Sequence, residues 1–325
     1  MRTTLHVVAS DEVACFVRAY GEGQGPGGPR SLEPLLVQAG LCGESDARMA
    51  LQDLQQRVLD ALVQKGPATV RQLSGAVPEL RTKVPHSVGK SYEGEFSLGS
   101  RLVPAMCAQG LLIRARPRGT WRSNLYEYAA FSDWLPEVDL AAVSTREARI
   151  WLVRRYLSAF GPATFDDVVW WTGFSKGETR EALRCLEPEI VEIAVQGLDA
   201  ATLALAQDAQ RLQRFVPPET AYTFLLPGLD PYIMGYQDRR RFLDPEHRTK
   251  VFDRTGNATP TVWAGGRVVG AWGQREDGSI VYGLADEVGD EVQQNLAEEV
   301  QRLEGFLGGE YLPQRTHTRF TRSLT

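Results

Sequence analysis

The segment Lys65-Gly-Pro-Ala-Thr-Val-Arg-Gln-Leu73 returns as Phe160-Gly-Pro-Ala-Thr-Phe-Asp-Asp-Val168, 95 residues downstream, and no other feature constrains the fold as much. A segment that recurs at a fixed offset signals a duplicated structural unit. The shared tetrapeptide has a physical reading. Glycine ends one helix, proline forbids its continuation, and threonine caps the next.

Each copy comes after a helical pattern. Leu51, Leu54, Val58, Leu59 and Leu62 fall at helical spacing before the first, and Ile150, Val153, Leu157 and Phe160 before the second. A short helix succeeds each copy, through Leu73 in one case and Val168–Trp171 in the other. A third helix is expected over roughly Ser97–Gln109 and Lys176–Leu186. Strand-like sequence comes next. Leu111 to Arg116, a Pro-Arg-Gly turn and Trp121 to Tyr128 read as a hairpin, and Ile190 to Val195 opens a shorter one. Three helices and then a hairpin make a winged helix. Helical hairpins sharing a turn by coincidence would give the same tetrapeptide, but the order of elements repeats as well.

The ends differ. Thr3 to Val8 is strand-like, Ala9-Ser-Asp-Glu carries a helix-start signal, and Gly21 to Gly28 reads as a flexible linker. From Phe224 to Leu284 short strands alternate with turns such as Ala264-Gly-Gly-Arg267, which reads as a small β-rich domain, barrel-like or sheet-like. A last helix runs from Asp286 to about Leu307, with Val292, Leu296, Val300 and Leu303 on one face. The expected fold is therefore α+β: tandem winged-helix units, then a small β-rich, barrel-like domain and a C-terminal helix. Four segments are expected: 1–45, the remnant of a first winged-helix unit with a linker; 46–135, a winged helix with a basic wing; 136–215, an acidic winged helix; and 216–325, the β-domain.

A chain of 325 residues has room for two or three domains, at about 100–200 residues each. Cys15, Cys42, Cys107 and Cys185 stand apart among apolar neighbours and the four histidines are dispersed, so reduced thiols are expected and neither a metal nor a cofactor. No stretch has the length of a membrane span and no signal peptide opens the chain, which points to a cytoplasmic protein. The net charge of −5 is unlike that of most nucleic-acid binders. Phosphate contacts are local, however, and the positive charge is clustered. Arg101 to Tyr126 holds five arginines and no acid, Arg239, Arg240 and Arg241 are consecutive, and Arg315, Arg319 and Arg322 close the chain.

The first cluster is the best candidate for DNA contact. Arg114, Arg116, Arg118 and Arg122 flank the hairpin turn with Trp121 among them, and strand alternation would put Arg114 and Arg116 on one face. A basic wing with an aromatic tip suits phosphate contact and minor-groove insertion. A solvated hairpin with Trp121 packed inward is the competing reading, against which Arg101 on the preceding helix weighs. Arg239, Arg240 and Arg241 are a second candidate clamp, or ordinary partners of Asp244 and Glu246. The second unit, with Asp166, Asp167, Glu178, Glu181, Glu187 and Glu189, reads as a spacer that repels phosphate.

Three segments resemble the AlkZ/YcaQ-type winged-helix DNA glycosylase family: Arg2-Thr-Thr-Leu-His-Val-Val8, Thr261-Val-Trp-Ala-Gly-Gly-Arg-Val-Val-Gly270, and above all Phe224-Leu-Leu-Pro-Gly-Leu-Asp-Pro-Tyr-Ile-Met-Gly-Tyr-Gln-Asp-Arg239. The resemblance implies tandem winged helices with a small β-domain after them, and excision of alkylated or bulky bases. It also implies a catalytic Gln-x-Gln or Gln-x-Asp motif upstream of the segment matching Arg2 to Val8. The sequence begins at that segment, so a misassigned start or a truncation is expected. Gln38-Ala-Gly and Gln237-Asp-Arg are out of place for the motif, and no catalytic residue is assigned.

A glycosylase must flip a nucleotide, stabilise charge on the sugar and hold a water. Asp230 and Asp238 are polar candidates whose expected role is structural, in an Asp-Pro turn and an arginine pair. The leading expectation is a monomeric DNA-binding protein with duplex or damaged DNA as partner and impaired catalysis. An active glycosylase using other residues, a transcription regulator reading an operator, and a degenerate paralogue are the alternatives. Regulators of this kind are usually symmetric dimers.

Overall fold

The computed structural model describes residues 7–20, 32–86, 89, 93–120, 123, 125–217 and 222–325. The expected strand over Thr3–Val8 (through residue 6), the linker Gly21–Gly28, and Trp121 and Arg122 lie outside the described residues. The chain forms two compact units, 1–153 with 172–174 and 154–171 with 175–325.

The first unit opens with the short helices α1 (Val13–Arg18) and α2 (Glu33–Gln38), then α3 (Ala47–Lys65). On α3, Leu54, Val58 and Leu62 are buried in the core as their spacing requires, and Leu51 and Leu59 pack beside them. Gly66 ends α3 at φ +74°, a conformation that suits glycine. Thr69 then caps α4 (Val70–Ala76) in a reciprocal capping box with Gln72. A hairpin that the sequence pattern does not announce, β1 (Lys83–His86) with β2 (Gly94–Ser97), precedes the next helix, α5 (Gly99–Ala108). The hairpin β3 (Leu112–Pro117) and β4 (Tyr126–Ala130) then leads through α6 (Phe131–Trp134) into α7 (Thr145–Phe160).

The second copy of the repeat gives β5 (Ala163–Thr164), α8 (Phe165–Thr172), α9 (Lys176–Leu186), β6 (Ile190–Ile193), β7 (Thr202–Leu205) and α10 (Ala206–Arg214). Thr164 and Asp167 exchange bonds as Thr69 and Gln72 do, each 3.0 Å long. The likeness extends to strand pairing. Ala68, just before the first cap, exchanges two backbone hydrogen bonds with Tyr128 of β4. Ala163 and Thr164 likewise pair with Leu203 and Thr202 of β7. In both copies the residue before the capping threonine pairs with the second strand of the hairpin.

The remainder holds β8 (Thr223–Leu226), α11 (Arg248–Val251), β9 (Thr261–Ala264), β10 (Arg267–Gln274), β11 (Ile280–Leu284), α12 (Asp290–Leu307) and α13 (Arg319–Arg322). The expectation of a barrel-like domain is corrected here. The strands form an open antiparallel sheet in the order β11-β10-β9-β8, and closure would need the outer strands to pair. Both faces of this sheet are covered. Trp263 and Val268 pack with Ile233, Phe242, Val251 and Phe252, while their neighbours Val262 and Val269 pack with Leu296 of α12. Alternation along the strands sorts these side chains between the two layers. The architecture is mixed α/β, and no described helix is long and apolar enough to cross a membrane.

Candidate nucleic-acid interface

In the β3–β4 hairpin the register changes between Arg114, opposite Tyr128, and Pro117, opposite Tyr126. Such a bulge interrupts strand alternation, so spacing alone does not put Arg114 and Arg116 on one face. Each rests on its own ring. The Arg114 guanidinium lies 5.3 Å from the Tyr126 centroid, and that of Arg116 lies 6.0 Å from the Trp134 ring centroid. Burial raises the Tyr128 phenol pKa, and Arg114 beside it pulls the other way. Arg118 is engaged differently: it grips Glu127 with bonds of 2.7 and 2.5 Å, which neutralises it.

Arg101 sits on the first turn of α5 and is exposed, with its guanidinium 4.7 Å from the Phe96 ring of β2. The β1–β2 hairpin thus supplies the platform under a cation that sequence reasoning singles out. Among the described residues, Arg101 and Arg116 are exposed and have no carboxylate partner. Stacked guanidiniums keep their donors outward while the ring covers one face.

Arg239, Arg240 and Arg241 occupy three different environments. Arg239 lies 3.8 Å from the Phe252 ring centroid and 5.5 Å from that of Trp170. Arg240 is exposed and bridges Asp238 (2.7 Å) and Asp199 (2.8 Å). The Arg241 side chain is buried: it donates to the Pro162 carbonyl at 2.6 Å, lies 4.0 Å from the Tyr236 ring and reaches Asp167 at 3.4 Å. The acidic partners of Arg240 and Arg241 are Asp238, Asp199 and Asp167 rather than the anticipated Asp244 and Glu246. The hydrogen bond from Arg240 holds the Asp238 carboxyl below its usual range.

Asp167 is the residue that sequence reasoning misses. Composition groups it with the phosphate-repelling acids, yet it is fully buried. One oxygen accepts from the backbone N–H of Gln237 at 2.7 Å and of Asp238 at 3.0 Å; the other accepts from Thr164 N–H at 3.0 Å and faces Arg241. Its place three residues after a capping threonine is the available signal. Asp230 has the expected turn role, accepting from the Tyr232 N–H at 2.9 Å. Arg315, Arg319 and Arg322 are exposed, while Thr316, Thr318 and Thr321 between them are buried. No cluster of three or more metal-ligating side chains occurs among the described residues.

The family model described as DNA glycosylase AlkZ-like matches residues 1–306. The chain belongs to the AlkZ-like DNA glycosylase family. A curated relative, the interstrand DNA cross-link repair glycosylase of Streptomyces sahachiroi, is 32% identical over 181 residues, which is 54% of this chain and 46% of the relative. The match thus spans about half the length of that relative. The solved structure of Streptomyces sahachiroi DNA glycosylase AlkZ superposes with a TM-score of 0.69 at 21% identity, covering 97% of this chain and 80% of that one. The family's fold is therefore present along nearly the whole chain.

Proposed function

We propose that this member of the glycosylase family binds duplex DNA through the hairpin and third helix of its first repeat, and that these 325 residues do not excise a base by themselves. Segments 46–135 and 136–215 are read as two winged helices. The reading is supported by the second hairpin strand being tied to the residue before the capping threonine in both copies, at Ala68–Tyr128 and at Ala163–Leu203. The observation that carries the DNA-binding part is the pair of exposed, carboxylate-free cations Arg101 and Arg116, each laid on an aromatic ring. Arg114 adds charge on the same hairpin as Arg116; Trp121 and Arg122, candidates from the sequence, lie outside the described residues. Arg118 contributes less because Glu127 already holds it. Arg239 and Arg241 act as scaffold, and Arg240 keeps its charge within two ion pairs.

The catalytic reading rests on the sequence. No Gln-x-Gln or Gln-x-Asp triplet occurs anywhere in the chain, and this is the motif the family resemblance assigns to catalysis. The curated relative's name concerns interstrand cross-links, so a cross-linked duplex is the informative substrate beside one carrying an alkylated purine. The test measures binding by fluorescence anisotropy over a salt series and base release on the same duplexes. Salt-sensitive binding without release is expected. Release of a base would overturn the catalytic part, and absence of binding at low salt would overturn the rest. Tight binding to one undamaged sequence only would shift the reading to an operator-binding regulator.

A further inference from the structure

Residues 311–325 hold Arg315, Arg319 and Arg322 and no acid, and they lie beyond the residues that the family model matches. The segment is fastened along its length. Buried Gln274 of β10 accepts from the Leu312 N–H at 2.8 Å and donates to the Glu310 carbonyl at 2.9 Å. The Thr316 hydroxyl donates to the Ala258 carbonyl at 3.0 Å, and the Thr318 hydroxyl to that of Lys250 at 2.9 Å. Thr318 and Thr321 then cap α13. Phe320 and Leu324 fill the space over Gly283, where a Cβ would meet them at 2.7 and 2.9 Å. With these side chains turned inward, the three arginines are left on the solvent side.

We propose that this fastened strap is a second phosphate-contacting surface, carried by the second unit, which holds the backbone of duplex DNA without reading its bases. The proposal rests on the reading of this protein as a duplex-DNA binder, but not on the hairpin of the first repeat.

The charge pattern argues for a polyanion. The chain carries 41 acidic residues against 36 basic ones, and arginines elsewhere on its surface are matched. Arg57, Arg154 and Arg302 each have a glutamate oxygen within 2.8 Å. Among the described residues, Arg315, Arg319 and Arg322 have no carboxylate partner. Neither has Lys250, whose Nζ lies 5.7 Å from the Phe320 ring centroid. Clustered cations left without acids raise the local potential, and a DNA backbone that sheds its counterions on binding offsets it.

The residue types narrow the partner. Arginine forks pair with phosphate oxygens through two parallel N–H donors. Arg319 and Arg322 stand three residues apart on α13, the spacing of one helix face. A surface fixed beforehand loses less freedom on binding. Base reading requires an element that enters a groove, and α13 is a single turn of four residues. A lipid surface fits less well, because interfacial segments bury an apolar face and here Phe320 and Leu324 are already packed over Gly283.

Phenylglyoxal modification of the full chain, mapped arginine by arginine with and without a random-sequence duplex at low salt, tests the two surfaces separately. Arg315, Arg319 and Arg322 are expected to lose most of their reactivity when the duplex is bound. The exposed Arg214 and Arg275 of the same unit should keep theirs. Replacing the three arginines together by glutamine should lower the slope of log K against log salt by about two to three. A thermal melt checks that this variant folds like the parent. Full reactivity at all three positions with the duplex bound would overturn the proposal, and so would a parental slope in the folded variant. Equal protection of Arg214, or protection by phosphatidylserine vesicles and not by the duplex, would overturn it as well. Protection at Arg101 and Arg116 alone would leave the hairpin reading without this one, and protection at the three C-terminal arginines alone would do the reverse.

Discussion

The backbone N–H of Gln237 donates to the buried carboxylate of Asp167 at 2.7 Å, joining residues 70 apart in sequence. The same carboxylate serves Asp238, Thr164 and Arg241. Removing it leaves Arg241 buried and three amides without an acceptor. Asp167→Ala is therefore expected to cost about 3–5 kcal/mol, the usual loss when one partner of a buried pair is deleted. Asp167→Asn should cost less, since it keeps one oxygen while turning an N–H toward other donors. Urea unfolding measures both, and a loss below about 1 kcal/mol for the alanine variant would remove Asp167 from this role.

The hairpin cations should separate by whether they are already paired. Arg116→Glu and Arg101→Glu are expected to weaken duplex binding and to lower the slope of log K against log salt by about one per lost phosphate contact. Arg118→Ala should change the slope less, because Glu127 holds that guanidinium at 2.5 Å. Equal slopes for all three variants and the parent would contradict the assignment.

Acid should weaken the first unit through Glu79. The hydrogen bonds from Arg57, both 2.8 Å, hold its carboxyl below the ordinary glutamate range. A carboxyl depressed in the folded state contributes stability that is fully present above its unfolded pKa, about 4.3 for glutamate. That contribution is lost as pH falls through the lower folded value. The stability difference between the parent and Glu79→Gln should thus be constant at neutral pH and shrink below about pH 4.3. The pair is partly exposed, so the difference is small. A gap that widened in acid would show the wrong sign.

Two glycines should respond unequally to alanine. A Cβ on Gly270 would run into the Gly283 carbonyl oxygen, across the β10–β11 pair. A Cβ on Gly235 would meet the Phe160 ring at 2.7 Å. Backbone in a sheet yields less than a side chain, so Gly270→Ala is expected to cost about 3 kcal/mol and Gly235→Ala less. Thermal melts compare them directly, and the reverse order would count against the packing argument.

Sequence patterns disclosed the fold wherever the signal was local. The helices flanking each Gly-Pro-Ala-Thr come from apolar spacing and from caps that lie within three residues, as at Thr69 with Gln72. The face of α12 carrying Leu296 was legible for the same reason. The β1–β2 hairpin was not, because two four-residue strands, one holding Pro85, carry too little pattern. The consecutive arginines read as an exposed patch, yet their settings come from Phe252, Trp170, Pro162 and Asp167, which only the fold assembles. Barrel and open sheet were not separable in the sequence, because alternation along a strand says nothing about whether the outer strands meet.

The two-bond bridge between Ala68 and Tyr128 has a mechanical consequence. It fixes β4 at Tyr128, opposite Arg114 and next to the capped start of α4, and the sequence between Pro117 and Tyr126 lies beyond that fixed point. Such a part behaves like an exchangeable tip on a fixed handle. Its length, charge and aromatic content can change from one relative to another without disturbing the handle, and selectivity for a target can be rewritten there while the scaffold stays as it is.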